Sequence, residues 1–86
     1  MQLDADDVKT VTTRLKRAHG HLASVIRMLE EGAECEDALT QLAAVNKAIS
    51  RGGYALVATG LHQCLTEEGP DGVDTKKLEK LFLALA

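Results

Sequence analysis

Apolar residues recur along the first third of the chain with the spacing of an amphipathic helix. Their positions advance in alternating steps of three and four residues: Val8, Val11, Leu15, Ala18, Leu22, Val25 and Leu29. This is the a/d pattern of a helix that packs along another helix, so we predict one helix over about residues 5–31. Gly20 interrupts the helix at a cost of about 1 kcal/mol, and Gly32 is placed to end it.

A second, longer helix is predicted over about residues 35–66. Acidic residues lie in or near its first turn, where the helix dipole favours negative charge. Gly52 and Gly53 could instead form a turn that splits this helix, but the apolar period continues in phase across them, which favours an unbroken helix. One stripe runs along it, with small or polar residues between the apolar ones: Leu39, Leu42, Asn46, Ile49, Gly53, Leu56 and Gly60.

The segment EEGPDGVD is predicted to be a loop, because its glycines and proline stop the second helix and Asp74 can cap the next one. A short third helix follows over residues 75–86. Its inward side is predicted to carry Leu78, Leu81, Phe82 and Leu85. Residues 1–86 are therefore predicted to form one all-α domain of three helices.

Composition supports helices that pack on helices. Apolar residues make up 45% of the chain, but the aromatic residues are only Tyr54 and Phe82, whereas sheets favour aromatic and β-branched residues. A chain of 86 residues has a small core, so we expect it to gain burial by association with further copies. It has no apolar run long enough for a membrane span and begins with an acidic segment, so we expect a cytoplasmic protein without a signal peptide.

Charge is distributed unevenly. The net charge is −3, which by itself argues against nucleic acid as a partner. However, residues 8–21 contain no acid, and a second acid-free basic stretch surrounds Lys47 and Arg51. A basic face of this kind can bind phosphate while the total charge stays negative. The first stretch contributes Lys9, Arg14, Lys16 and Arg17.

The two cysteines, Cys35 and Cys64, are 29 residues apart. Two cysteines do not make a secreted disulfide framework, so a reactive pair, a metal-binding pair and two inert buried residues all remain open. On an unbroken helix 29 residues turn roughly 20° past eight full turns and rise roughly 44 Å. The cysteines would share a face yet never meet within one chain. An antiparallel second copy would bring Cys35 beside the partner's Cys64, twice, about a two-fold axis.

His62 lies close to Cys64 in sequence but about 200° around the helix from it. We therefore predict that His62 is not a partner of Cys64. The position four residues before Cys64 would share its face, and it is Gly60, which offers no ligand. His19 and His21 lie in the basic stretch, where facing phosphate and facing solvent are equally open.

Three stretches together resemble the CsoR/RcnR/FrmR family of bacterial repressors: RLKRAHGHLASVIRMLEEG (14–32), CEDALTQLAAVNKA (35–48) and GLHQC (60–64). The resemblance covers nearly the whole chain. It implies a three-helix protomer, an antiparallel four-helix-bundle dimer and pairing of dimers into a homotetramer. It also implies a repressor of double-stranded operator DNA rather than an enzyme. By position it makes Arg14 and Arg51 DNA contacts, with phosphate neighbours Lys16, Arg17 and Lys47.

The resemblance also restricts which chemical class of inducer is expected. Copper-sensing members have a histidine four residues before the second cysteine, where this chain has Gly60. Nickel and cobalt sensors need that histidine and others near the N-terminus, and formaldehyde sensors generally lack the second cysteine. The remaining CstR-like branch senses persulfide or polysulfide through two thiols, so reactive sulfur acting at Cys35 and the partner's Cys64, with no cofactor, is the predicted inducer. The alternative is Cu(I) bound by the same two thiolates.

Two other classes remain as competing interpretations. A thiol oxidoreductase is disfavoured because the chain has no C-x-x-C motif and no base facing either cysteine. A plain helical dimerisation module would not bind DNA at all.

Overall fold

The computed structural model describes residues 2–85, which form an antiparallel helical hairpin with a short third helix. Helix α1 spans Lys9–Glu30, α2 spans Cys35–Glu68 and α3 spans Thr75–Leu85, with a 3-10 turn at Pro70–Gly72 between α2 and α3. No strand occurs within residues 2–85. The all-helical class and the three predicted helices are confirmed.

Helix α1 begins later than predicted. Residues 5–8 form turns rather than helix, and the Asp4 carbonyl accepts the Asp7 and Val8 N–H groups at 3.0 and 3.2 Å. The predicted end is confirmed. Gly32 has φ of +85°, and the next residue, Ala33, donates its N–H to the Met28 carbonyl at 2.9 Å, as in a Schellman cap.

Helix α2 is unbroken for 34 residues, so Gly52 and Gly53 do not form a turn. They are points of close approach instead. A Cβ on Gly52 would lie 2.9 Å from Leu15 Cδ2, and a Cβ on Gly53 would lie 2.8 Å from Leu85 Cδ2. The helix ends at Glu68, two residues beyond the prediction, where Gly69 takes a φ of +76°.

Helix α3 begins with the predicted cap, since the Asp74 carboxylate accepts the Lys77 N–H at 3.1 Å. Phe82 stacks on Tyr54 of α2 with ring centroids 4.9 Å apart. The four residues predicted to point inward all lie on the α2 side, but only Leu78 and Leu85 are half-buried, while Leu81 and Phe82 remain exposed in the single chain. A helix of 11 residues that packs on one neighbour leaves most of its surface open.

The core lies between α1 and α2 and uses every seventh residue. Its members are Val11, Ala18 and Val25 from α1 with Ala38, Val45 and Gly52 from α2. The other α1 positions of the predicted stripe stay more open, and Leu29 is 60% exposed. The predicted α2 stripe is not the row that packs against α1, although Leu22 of α1 borders it, and its Leu39 is also 60% exposed.

We call the exposed stripe the apolar face. One open groove of about 450 Å³ is lined by Leu39, Leu42, Asn46 and Ile49 of this face and by Leu22 of α1. The chain measures 53 × 26 × 13 Å, and 13 Å is close to the diameter of one helix. The molecule is thus one helix layer thick, so a single chain has no second layer with which to cover this face. Among residues 2–85, no helix is long and apolar enough to cross a membrane.

Candidate functional site

The two cysteines lie at opposite ends of α2. Cys35 is its first residue and is exposed, Cys64 lies one turn before its end and is half-buried, and both are free thiols. Since α2 is unbroken, its rise of about 1.5 Å per residue separates them by roughly 44 Å. The two thiols therefore do not meet within one chain.

The Cys64 thiol is held by the end of its own helix and the following turn. Its Sγ donates to Glu68 Oε2 at 3.5 Å and to the Gly72 carbonyl at 3.4 Å. Burial raises the pKa of the thiol, and the hydrogen bond to Glu68 and the negative charge of that carboxylate raise the pKa further. These surroundings favour the protonated form of the Cys64 thiol over its thiolate.

An apolar groove of about 580 Å³ opens beside Cys64, between α2 and α3. Most of its wall is aliphatic, including Leu56, Leu61 and Leu78. Gly60 also lines it, and the nearest side-chain atom to a Cβ built there is Leu3 Cδ2, at 3.6 Å. We call this the Cys64 groove. It presents no nitrogen donor at the position four residues before the thiol.

His62 lies on a different side of α2. It is exposed and lines a separate groove with Asp7, Thr59 and Glu67. Within residues 2–85 no three His, Cys, Asp or Glu side chains of one chain are arranged to hold a metal ion. The predicted separation of His62 from Cys64 agrees with this geometry.

Basic side chains from both long helices meet at a third groove, of about 390 Å³, which we call the basic groove. Arg14, Arg17 and His21 come from α1 and Arg51 comes from α2, while no acidic residue lines the groove. Three of the five predicted DNA-binding residues are thus brought together. The other two, Lys16 and Lys47, are exposed but lie outside it.

His21 is the member of the basic groove that the sequence left undecided. Its Nε2 lies 2.6 Å from Gln41 Oε1, which fixes the ring between α1 and α2. Arg14, Arg17 and His21 follow one another in steps of three and four residues. That spacing places all three on one helix face, so the sequence already contained a signal that groups His21 with the two arginines.

Comparison with known proteins gives consistent results. Residues 7–86 match the family described as metal-sensitive transcriptional repressor. The copper-sensing transcriptional repressor CsoR of Mycobacterium ulcerans is 34% identical over 80 residues, which cover 93% of this chain and 68% of that protein. The copper-sensing repressor RicR of Mycobacterium tuberculosis is 38% identical over 69 residues, covering 77% and 72% of the two chains.

An uncharacterised protein of Bacillus subtilis, YrkD, is 42% identical over 53 residues, which cover 62% of this chain and 84% of that protein. The chain spans about two thirds of the length of the CsoR proteins, with 68% for M. ulcerans and 65% for M. tuberculosis. No solved structure matches significantly. The extent of the family match and the identity to CsoR and RicR together show that this chain belongs to the family of metal-sensitive transcriptional repressors, which is not a class of enzymes.

Proposed function

We propose that this protein is a DNA-binding repressor that receives its inducer between two subunits, at Cys35 of one chain and Cys64 of the partner subunit. The observation that carries the proposal is the unbroken α2, which has one thiol near each end. Because 29 residues bring a helix back to within roughly 20° of its starting direction, both thiols lie on one face.

The apolar face supports an antiparallel pairing of two such chains. Leu39, Leu42 and Ile49 lie exposed between the two cysteines along α2. Covering these side chains with the α2 helix of a second copy would supply the second layer that the thin hairpin lacks. A two-fold axis near Ile49, midway between the two cysteines along α2, would then place each Cys35 next to the partner's Cys64.

The basic groove is the proposed DNA surface. Three guanidinium groups, from Arg14, Arg17 and Arg51, line it, and Asp6 shares only the adjoining groove with Arg14 and Arg17. Arginine binds phosphate oxygens through planar, paired hydrogen bonds. Two copies in an antiparallel dimer would present two such grooves at a fixed spacing, so a change in dimer geometry would alter the fit to the duplex.

Cu(I) is the inducer that the comparisons favour. CsoR and RicR are named as copper-sensing, and thiolates are soft ligands that suit Cu(I). Bound Cu(I) would bond to both sulfurs and tie the two chains together. The prediction of reactive sulfur as the inducer is not confirmed by these relatives.

Reactive sulfur remains the second candidate because Gly60 provides no nitrogen donor on the Cys64 side of the site. In this route the Cys35 thiolate attacks a persulfide RSSH, which forms Cys35–SSH and releases RS⁻. The partner's Cys64, as its thiolate, then attacks the Sγ of Cys35, which forms the Cys35–Cys64 disulfide and releases the outer sulfur as HS⁻. Two thiols are oxidised and the persulfide is reduced.

The test is fluorescence anisotropy with a labelled duplex that the reduced protein selects from a random-sequence pool. We expect binding by reduced protein that weakens with salt, and loss of binding on addition of anaerobic Cu(I) or of a polysulfide. Arg51→Ala should lower affinity in every state and reduce the salt slope by about 1. Cys35→Ser should remove the inducer response. DNA binding unaffected by Arg51→Ala, or a full response in Cys35→Ser, would contradict the proposal.

A second measurement separates the two inducers. Cu(I) affinity is measured by competition with a bicinchoninate probe, and polysulfide treatment is followed by intact mass under non-reducing conditions. Tight one-to-one Cu(I) binding that requires both cysteines would support copper. Weak Cu(I) binding together with a covalent dimer of disulfide or trisulfide mass would support sulfur.

A further inference from the structure

Gln63 is the one polar side chain that is buried within residues 2–85, with 8% of its surface exposed. Its amide nitrogen donates to the Gln2 carbonyl at 2.9 Å and to Glu67 Oε1 at 3.3 Å. Its amide oxygen accepts the Asp4 N–H at 3.3 Å. A buried amide is destabilising unless it is hydrogen-bonded, so these contacts hold residues 2–4 against α2.

We call residues 2–4 the strap. The middle residue, Leu3, lies between the two anchored ones and lines the Cys64 groove. Its Cδ2 is 3.6 Å from the position that a Cβ on Gly60 would take. The strap therefore occupies part of the space that Gly60 leaves open beside the thiol.

The strap also leads directly into α1. The Asp4 carboxylate accepts the Asp6 N–H at 3.0 Å, and the Asp4 carbonyl accepts the N–H groups of Asp7 and Val8. Helix α1 begins at the next residue, Lys9. A continuous set of hydrogen bonds thus joins Gln63, next to Cys64 in sequence, to the start of the helix that carries Arg14 and Arg17.

We propose that Gln63 is a positioning residue that couples the occupancy of the Cys64 groove to the basic groove by means of the strap. This coupling rests on the proposed function. In the free-thiol state Leu3 lies in the groove and Gln63 anchors the strap. When Cys64 is joined to the partner's Cys35, by a metal ion or by sulfur, the added atoms and the partner side chain need the same space as Leu3.

Displacement of Leu3 breaks both backbone hydrogen bonds of Gln63. The turn at residues 4–8 then loses its anchor on α2, and the first turn of α1 becomes free to move relative to Arg51. The affinity for DNA falls because the arginines of the two helices no longer hold a fixed arrangement. Coupling between two sites requires a contact that differs between the two states. Here that contact is the strap, which is bound to α2 in the free-thiol state and displaced in the inducer-bound state.

The test compares Gln63→Leu and Leu3→Ala with the unmodified protein. The full chain is used, with Cu(I) and sodium tetrasulfide as separate inducers. Two quantities are measured: the ratio of DNA affinities without and with inducer, and amide hydrogen exchange in residues 2–8. In the unmodified protein we expect the inducer to lower DNA affinity and to speed exchange in residues 2–8.

Gln63→Leu keeps the size of the side chain but removes the anchor. We expect fast exchange in residues 2–8 even without inducer, a lower starting affinity for DNA, and a ratio reduced about five-fold or more. Leu3→Ala keeps the anchor but removes the side chain that must be displaced. We expect its strap to stay protected with inducer bound and the ratio to shrink because the inducer-bound protein keeps its affinity.

Thr66→Val is the matched control, since the Thr66 hydroxyl donates only within α2, to the His62 carbonyl. It should leave both quantities unchanged. An inducer that lowered DNA affinity by the same factor in Gln63→Leu as in the unmodified protein would overturn the coupling and leave the proposed function standing. If neither inducer changed the DNA affinity of the unmodified protein, both the proposed function and the coupling would be overturned.

Discussion

The two thiols of this chain differ in their surroundings. Cys35 is exposed at a helix N-terminus, whereas Cys64 is half-buried and donates to Glu68 and Gly72. Because burial and then Glu68 raise the pKa of Cys64, its proton is bound more tightly in the folded chain than in the unfolded one. The stability that this proton contributes is present below the ordinary thiol pKa and is lost as pH rises through the raised value.

Replacement of Glu68 tests this assignment at the residue scale. Glu68→Gln keeps an oxygen that can accept the thiol hydrogen but removes the negative charge, so the pKa of Cys64 should fall and its thiolate fraction should rise. We expect iodoacetamide to alkylate Cys64 several-fold faster at neutral pH, as measured by peptide mass spectrometry against a pH series.

Glu36→Gln, next to the other cysteine in sequence, is the control and should leave the rate at Cys64 unchanged. A slower alkylation in Glu68→Gln would show instead that the carboxylate assists removal of the proton.

At the scale of elements, the glycines of the long helices have different roles. Gly20 has no side-chain neighbour within 4 Å of a Cβ built on it, whereas Gly52 and Gly53 have a leucine at 2.9 and 2.8 Å respectively. Gly20 therefore lowers the helix preference of α1, and no packing contact requires a glycine there. The other two allow α1 and α3 to approach α2 closely, which is why a glycine pair is tolerated inside a helix of 34 residues.

Alanine substitutions separate these roles. Gly20→Ala should stabilise the protein by about 0.4–1 kcal/mol through backbone entropy. Gly52→Ala gains the same helix preference but must displace Leu15, so it should be neutral or destabilising. Gly53→Ala must displace Leu85 and should loosen α3. Urea unfolding at one protein concentration measures all three, and equal stabilisation by Gly20→Ala and Gly52→Ala would contradict the packing role of Gly52.

At the scale of the whole molecule, the thickness of 13 Å explains why so little is buried. Within residues 2–85 five apolar side chains are buried, and they lie between the two long helices. The apolar face beside this row is exposed in the single chain, where a second copy could cover it. Association and DNA binding are therefore linked in the proposed function.

A charge placed on the apolar face tests that link. Ile49→Glu should prevent association, because burying an unpaired carboxylate is strongly unfavourable, and should abolish DNA binding as well. Sedimentation equilibrium and DNA anisotropy measure the two effects. Thr40→Glu is the matched control on the opposite side of α2, about 160° from Leu42. If the Ile49→Glu protein still associated and still bound DNA, the dimer would have to use another surface.

Local patterns determined much of this protein. The apolar period, the glycine that ends α1 and the aspartate that caps α3 are contacts within a few residues, so the three helices and their approximate bounds follow from the sequence. The face shared by the cysteines also follows, since it needs only an unbroken helix. The site assignments that rest on family resemblance, including the DNA-binding set, stay predictions.

The tertiary structure decided which apolar stripe of α2 faces α1, because periodicity identifies faces without saying which neighbour covers them. Ala38, Val45 and Gly52 are small enough for close helix packing, so they form the contact and leave the larger Leu39, Leu42 and Ile49 outside. The same packing brings Arg51 to Arg14 and places Gln63 under residues 2–4. These contacts join positions far apart in the chain, and only the folded hairpin brings them within reach.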